Sequence, residues 1–294
     1  MSERPLVYAL TLNWNRPDDT LECLETLAAQ TYPRLRLLVV DNGSTDDSVA
    51  RIGAAFPQAE LVVNGENKGF AAGANIGLRR AMEAGAELMF LVNNDTLIDA
   101  HAVERLAAVM QPGVGIAAPL IYYADDPKRI WSAGGLVRPL LLEKYDDKQG
   151  RLDRGQWTEP LERDFVTGCG LLLSRRLLDR VGLFDERFFM YYEDADLCLR
   201  ARRAGFRILV VPAAKMWHKV ARSSGGSDSA NERYWMARSS VLFFRKHARG
   251  GQWAAILPWR MGSALRTGWR LLRHGRWAAC RAYWRGLRDG WREG

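Results

Sequence analysis

The chain has 294 residues, 48% of them hydrophobic, which is enough to bury a large core in one or two domains. Its net charge of +8 sits at one end: twelve Lys/Arg against two acids from Arg245 to Gly294 give +10, leaving −2 for the rest. The four cysteines (Cys23, Cys169, Cys198, Cys280) form no CxxC pair, the start lacks the charged and apolar regions of a signal peptide, and no run approaches the roughly 18 apolar residues that span a bilayer. A cysteine metal site, a disulfide framework and a membrane-spanning helix are disfavoured, and a reducing cytosol fits.

In chain order, Leu6–Leu12 is apolar and strand-prone, and Asp18–Gln30 has helical spacing through Leu21, Leu24, Leu27 and Ala28. Leu35–Val40 is a nearly continuous apolar run ending at Asp41-Asn42-Gly43-Ser44-Thr45-Asp46. That is the pattern of a buried parallel strand, a turn and a helix N-cap. A helix is expected through Phe56, a strand over Ala59–Val63, a helix over Gly73–Ala84 and a strand over Glu87–Val92 that closes on Asn93-Asn94-Asp95. This alternation predicts an α/β fold with a mostly parallel central sheet flanked by helices. Ligands bind such sheets beyond the carboxyl ends of the strands, where Asp41 and Asp95 fall. Tyr122–Arg163 is polar with little periodicity and reads as loops and short strands over one end of the sheet. Phe165–Leu173 reads as a strand, Arg175–Val181 as a short helix and Asp194–Ala204 as a helix with acids in its first turn. Ile208–Val211 reads as a strand stopped by Pro212, Ser223–Ser229 as a Gly/Ser loop, and helix dominates from Asn231 onward.

Four segments carry chemistry. A carboxylate at a strand end, as at Asp41, can accept hydrogen bonds from ribose hydroxyls or a base N–H, although a plain turn explains it as well. In Asn67-Lys68-Gly69-Phe70-Ala71-Ala72-Gly73, small residues let the backbone approach a diphosphate, and Lys68 can neutralise charge. Asp95 suits a hard divalent ion that takes its remaining oxygens from water and a substrate diphosphate, or it caps a helix. The sharpest signal is Phe188-Phe189-Met190-Tyr191-Tyr192-Glu193-Asp194-Ala195-Asp196, three acids directly after five large apolar residues. Crowded carboxylates raise one another's proton affinity, which suits a general base acting on an acceptor hydroxyl; the bland reading is acids complementing a helix dipole. His218 is either a neutral imidazole metal ligand or a structural histidine.

Together, "LVVDNGSTDDS", "NKGFAAGANIG", "LVNNDT", "VTGCGLLLSRRLLDRVGLFDERFFMYYEDADLCLRARRAGFRI" and "HKVARSSG" resemble the family 2 glycosyltransferases, in their bacterial rhamnosyltransferase-like branch. The resemblance implies a GT-A fold over residues 1–245, with a nucleotide-binding half over about 1–120 and an acceptor half over about 121–245. It implies an inverting displacement with Asp194 as base, Glu193 beside it and Asp196 as the alternative base. It places the nucleotide sugar at Asn13, Asp41, Asn42, Lys68, Gly69, Asn94 and Asp95, and a magnesium or manganese ion at Asp95 and His218. The family's acidic motif is often Asp-x-Asp; here Asn93 holds its first position, which puts more weight on Asp95 and His218. The donor implied is a dTDP- or UDP-sugar, with rhamnose the candidate, and the acceptor a lipid-linked or polysaccharide hydroxyl. Two alternatives are a sugar nucleotidyltransferase, for which Thr11–Asn15 offers no Gly-rich phosphate loop, and a non-catalytic carbohydrate- or membrane-binding relative.

Residues 246–294 form a basic, Trp-rich extension. Trp277, Cys280, Trp284, Leu287 and Trp291 fall on one helical stripe beside Arg281, Arg285, Arg288 and Arg292, the pattern of an interfacial helix. Gly286 and Gly290 weaken the helix. An anionic membrane surface at the inner face of the cell membrane is the favoured partner; packing on the catalytic domain or in a homo-oligomer is the second reading. No nucleic acid is expected, because only the charge would suit it.

Overall fold

The computed structural model describes residues 4–219 and 228–293. Strands and helices alternate through the first third: β1 (Val7–Asn13), α1 (Pro17–Ala28), β2 (Leu35–Asp41), α2 (Ser48–Ala55), β3 (Glu60–Val63), α3 (Gly69–Glu83) and β4 (Leu88–Asn93). There follow β5 (Thr96–Ile98), α4 (Ala102–Ala108), β6 (Val114–Tyr123), β7 (Ile130–Ser132), β8 (Leu136–Arg138), β9 (Glu143–Tyr145) and β10 (Leu161–Glu162). The second half adds β11 (Gly170–Ser174), α5 (Arg175–Val181), α6 (Glu193–Arg203) and β12 (Arg207–His218), then α7 (Ala230–His247), α8 (Gln252–Arg273) and α9 (Trp277–Glu293).

The main sheet runs in the order β10-β12-β6-β11-β4-β1-β2-β3, with β5 and β7 pairing at β12 and β6. The β3-β2-β1-β4 half is parallel, β11 is antiparallel to both of its neighbours, and β6 and β12 are parallel again. The apolar runs of β1, β2 and β4 form strands here because both sheet faces are covered. Along β1, Tyr8 and Leu10 point into a core shared with Leu78 of α3 and Leu197 of α6, while Val7 and Ala9 point into one shared with Leu24 of α1, Ile52 of α2 and Leu106 of α4. A fully buried leucine contributes about 1.5–3 kcal/mol, so these two layers fix strand register and, with it, where each strand end falls.

Two local expectations change, and one strand went unanticipated. Pro212 does not end a strand: β12 stays paired with β6 on both sides of it, and the register shifts between Val211 and Lys215. A bulge absorbs the residue that cannot donate to the ladder. Residues 165–169 leave the strand, so β11 starts only at Gly170. The central β6 was hidden in the sequence by Gly115 and Pro119, residues that ordinarily demote a strand.

The C-terminal helices pack as a layer that already begins with α7 at Ala230. On one side of α7, Leu242, Phe243 and Phe244 join Phe188 and Ala195 of the α/β body; elsewhere Ala237 joins Leu271 of α8 and Cys280 and Tyr283 of α9. The two glycines that weakened the α9 expectation are its contact with α7. A Cβ at Gly290 would lie 2.7 Å from the Arg238 carbonyl, and one at Gly286 would strike that of Tyr234. The expected tryptophan stripe therefore splits: Cys280 faces inward, while Trp277, Trp284 and Trp291 stay exposed. On α8, Leu257, Met261, Leu265, Trp269 and Leu272 form an exposed row at helical spacing. Among the described residues no helix is long and apolar enough to cross a membrane. Most of the expected Gly/Ser loop over Ser223–Ser229 lies outside the described residues.

Candidate active site

The carboxyl ends of β1, β2 and β4 meet the N-terminus of α6 around a cleft of about 700 Å³. Asn13, at the end of β1, is fixed on three sides. Its amide donates to Asp41 Oδ1 at 2.8 Å and Ser44 Oγ at 3.0 Å, and its Oδ1 accepts from Thr20 Oγ1 at 2.7 Å. Asp41 is fully buried; it accepts from the Ser44 hydroxyl at 2.5 Å and the Ser44 backbone N–H at 2.9 Å. The carboxylate thus shapes the cleft through Asn13, which lines it, rather than facing it directly. Asn42 ties the end of β2 to the entry of α3: its Oδ1 accepts from Asn64 Nδ2 at 3.0 Å and the Lys68 N–H at 3.2 Å, and its Nδ2 donates to the Gly69 carbonyl at 3.1 Å.

Gly69 has a φ of +80°, and a Cβ there would lie 2.5 Å from the Phe189 carbonyl. The next N–H, of Phe70, donates to that same carbonyl at 2.7 Å. This close approach brings the loop before α3 and the acidic segment together, and only glycine permits it. Lys68 is exposed, pairs with Glu66 at 2.7 Å and does not line the cleft, whereas Gly69 and Asn94 do.

Asp95 follows β4 and is 2% exposed, yet neither of its carboxylate oxygens has a hydrogen-bond partner among the described residues. Pairing of β5 with β12 brings His218 opposite Thr96, so His218 Nε2 lies 3.2 Å from Asp95 Oδ1. His218 Nδ1 is also without a partner, and the Trp131 ring meets the imidazole edge-on at 4.4 Å. A buried, donor-free carboxylate is costly unless a cation compensates it, so these two side chains fit a divalent ion. Among the described residues no third His, Cys, Asp or Glu joins them in a metal-holding group.

The acids of α6 divide into three environments. Tyr191 and Tyr192 have φ of 68° and 69°, and this paired left-handed turn swings Glu193 and Asp194 into the cleft. Asp194 Oδ2 accepts from the Gly168 N–H at 3.0 Å, and Lys144 Nζ lies 3.7 Å from Oδ1. Glu193 is buried, and its Oε2 has no partner among the described residues. Burial, then the neighbouring Asp194 charge, pushes its carboxyl up to about 8. Asp196 is fully buried and does not line the cleft. It pairs with Lys246 at 2.6 Å, His247 at 2.7 Å and Arg200 at 2.8 Å, locking α6 to α7. Burial alone would raise its carboxyl, but these partners hold it below the usual carboxylate range.

Glu193 has a consequence for stability. The fold favours its neutral form, so its contribution is fully present below the ordinary carboxylate range and is lost as pH rises through about 8. Thermal unfolding of Glu193→Gln is expected to lose less stability than wild type between about pH 6 and 9. A difference of at least about 1.4 kcal/mol, equivalent to one pKa unit, is expected. Parallel pH profiles for the two proteins would contradict the assignment.

The sequence reading missed Lys144 and Trp131, which sit in the segment taken as loops. It also missed Glu232 and Met236 of α7, which line the cleft although their helix belongs to the C-terminal layer. The only sequence signal for Lys144 was its position in a polar stretch assigned to the acceptor side.

A family model described as "Glycosyltransferase like family 2" matches residues 5–237. The chain is 28% identical over 263 residues to the N-acetylglucosaminyl-diphospho-decaprenol L-rhamnosyltransferase of Mycobacterium tuberculosis, covering 82% of this chain and 84% of that protein. It is 25% identical over 249 residues to the dTDP-rhamnosyl transferase RfbF of Shigella flexneri, covering 82% and 80%. Among solved structures it resembles the mannosyltransferase PcManGT from Pyrobaculum calidifontis in complex with GDP-Man and Mn2+, with a TM-score of 0.60 and 19% identity, over 100% of this chain and 77% of that one. The mostly parallel sheet with the site at its strand ends is the GT-A architecture, and the chain belongs to glycosyltransferase family 2.

Proposed function

We propose that the protein transfers rhamnose from dTDP-rhamnose, with inversion, to a hydroxyl of a lipid-linked acceptor. The observation that carries this reading is one cleft lined by Asn13 and Asn94 from the nucleotide half and by Glu193, Asp194 and His218 from the acceptor half. The sugar and acceptor classes are those named for the two relatives above, each matched over at least four-fifths of its length. Asp194 takes the proton as the acceptor oxygen bonds to the anomeric carbon. The bond from that carbon to the diphosphate breaks, and the nucleoside diphosphate leaves with the electron pair. The Gly168 N–H and Lys144 hold the Asp194 carboxylate in place, and burial pushes Glu193 toward its neutral form, which lessens competing charge beside it. Asp95 and His218 would hold the magnesium or manganese ion, which supplies charge neutralisation for the leaving diphosphate. Asn13 and Asn42 shape the nucleotide side, with Asp41 acting behind Asn13 and Lys68 directly before the cleft-lining Gly69.

Asp95→Asn is expected to abolish Mn2+ binding measured by calorimetry and to cut turnover at least about 10²-fold, equivalent to ~2.7 kcal/mol of transition-state stabilisation. Unchanged Mn2+ affinity would remove Asp95 from the metal site.

The exposed row on α8, together with the net charge of +10 over residues 245–294, supports peripheral attachment to an anionic membrane at its inner face. Replacing Leu265 and Trp269 together by Glu is expected to weaken co-sedimentation with phosphatidylglycerol vesicles at least tenfold without changing the thermal midpoint. Undiminished binding would sink the anchor.

A further inference from the structure

The substrate cleft does not end at Asp194. A second cavity of about 520 Å³ adjoins it, and Lys144 and Tyr192 line both. Its walls come from β9 and the segment before it, α6, α7 and the start of α8. Leu142, Leu199, Phe243 and Trp259 make it largely apolar. The lining acids are already paired: Asp164 with Arg202 at 2.6 Å and Glu143 with Arg138 at 3.4 Å.

Arg260 is different. Its guanidinium lies over the Phe244 ring at 4.9 Å and donates to Ser240 Oγ at 2.8 Å, and it makes no ion pair among the described residues. A half-buried guanidinium without a counter-ion is costly, and its planar fork suits a phosphate. Lys144 Nζ, at the junction of the two cavities, lies 4.7 Å from the Tyr192 ring centroid and 3.7 Å from Asp194 Oδ1. The same helix that supplies Arg260 carries the exposed apolar row through Leu257, Met261 and Leu265.

We infer that this second cavity seats the phosphate-bearing apolar end of the acceptor. Arg260 pairs with its phosphate and the Leu142–Phe243–Trp259 wall holds its first carbons, leaving the sugar hydroxyl at Asp194. The inference rests on the reading of the acceptor as lipid-linked. A polar polysaccharide would gain nothing from the apolar wall, and the unpaired cation would stay uncompensated.

The test compares two acceptors bearing the same sugar on the full chain: a prenyl diphosphate and a short phosphate-free alkyl glycoside. Arg260→Ala is expected to raise KM for the prenyl-diphosphate acceptor at least tenfold more than for the alkyl glycoside, with donor affinity as the check on folding. Trp259→Ala should act in the same direction, and Arg260→Lys should recover part of the loss. Equal losses on both acceptors, or none, would overturn the cavity assignment while leaving the lipid-acceptor reading intact. If the wild type glycosylates no lipid acceptor, that reading fails by itself. Farnesyl diphosphate binding weakened tenfold by Arg260→Ala would then still support the cavity, and no binding would overturn it.

Discussion

Asp194→Asn is expected to lower transfer about 10³-fold while donor affinity stays within roughly threefold of wild type, since a positioned general base contributes ~10²–10⁴-fold. Asn preserves the shape of the side chain and can still accept from the Gly168 N–H, which holds Asp194 at 3.0 Å, so the α6 N-terminus should keep its place. What disappears is the capacity to take a proton. The cleft offers Glu193 as the neighbouring carboxyl, but burial keeps that group protonated to about 8. Removing the Asp194 charge also removes part of what raises the Glu193 carboxyl, so residual turnover in the variant that rises with pH, with a midpoint below that of wild-type Glu193, would identify Glu193 as a substitute base. Near-wild-type turnover at neutral pH would remove Asp194 from the role.

Asp196→Asn is expected to do the opposite. The residue is fully buried among Arg200, Lys246 and His247, and neutralising it leaves those groups without their shared counter-charge. Breaking such a buried network costs about 3–5 kcal/mol. For a chain of this size that lowers the thermal midpoint by roughly 5–8 °C. Turnover per folded molecule at low temperature should stay within about fivefold of wild type, because Asp196 does not line the cleft. A variant that kept wild-type stability and lost turnover would exchange the roles of the two aspartates.

These paired outcomes mark where the sequence stopped being informative. Glu193, Asp194 and Asp196 lie within four positions and look alike as a motif, yet 100° of helical rotation per residue sends them to different surroundings. What separates them comes from distant segments: Gly168, Lys144 and, for Asp196, Lys246 and His247 on α7. No local pattern contains that information. The strand ends were legible because an apolar run closing on Asp or Asn is a local event; Leu35–Asp41 and Leu88–Asn93 fall within two residues of their expected bounds. The burial of Asp41 behind Asn13 was not, since it depends on Ser44 and Thr20 closing over both side chains.

The tail shows the same limit. Its period predicted helices with an amphipathic face, and α8 and α9 are helices. Period alone could not say which face would be covered. The answer lay in Gly286 and Gly290, which count against a helix by propensity and here let α9 approach α7 backbone to backbone. Covering that side leaves the tryptophans and the α8 row outward, so packing on the catalytic body and attachment to a surface are compatible. His218 illustrates the converse: the family resemblance already named it as a metal ligand with Asp95, and the β5–β12 pairing shows how the two meet, 3.2 Å apart.

The most direct measurement is the anomeric configuration, by NMR, of the sugar transferred from dTDP-rhamnose to a prenyl-diphosphate-linked acceptor in the presence of Mn2+. A single displacement with Asp194 as base predicts a product whose glycosidic bond has the configuration opposite to that of the donor, with one nucleoside diphosphate released per bond formed. A product of retained configuration, or donor turnover that yields no new glycosidic bond, would contradict it.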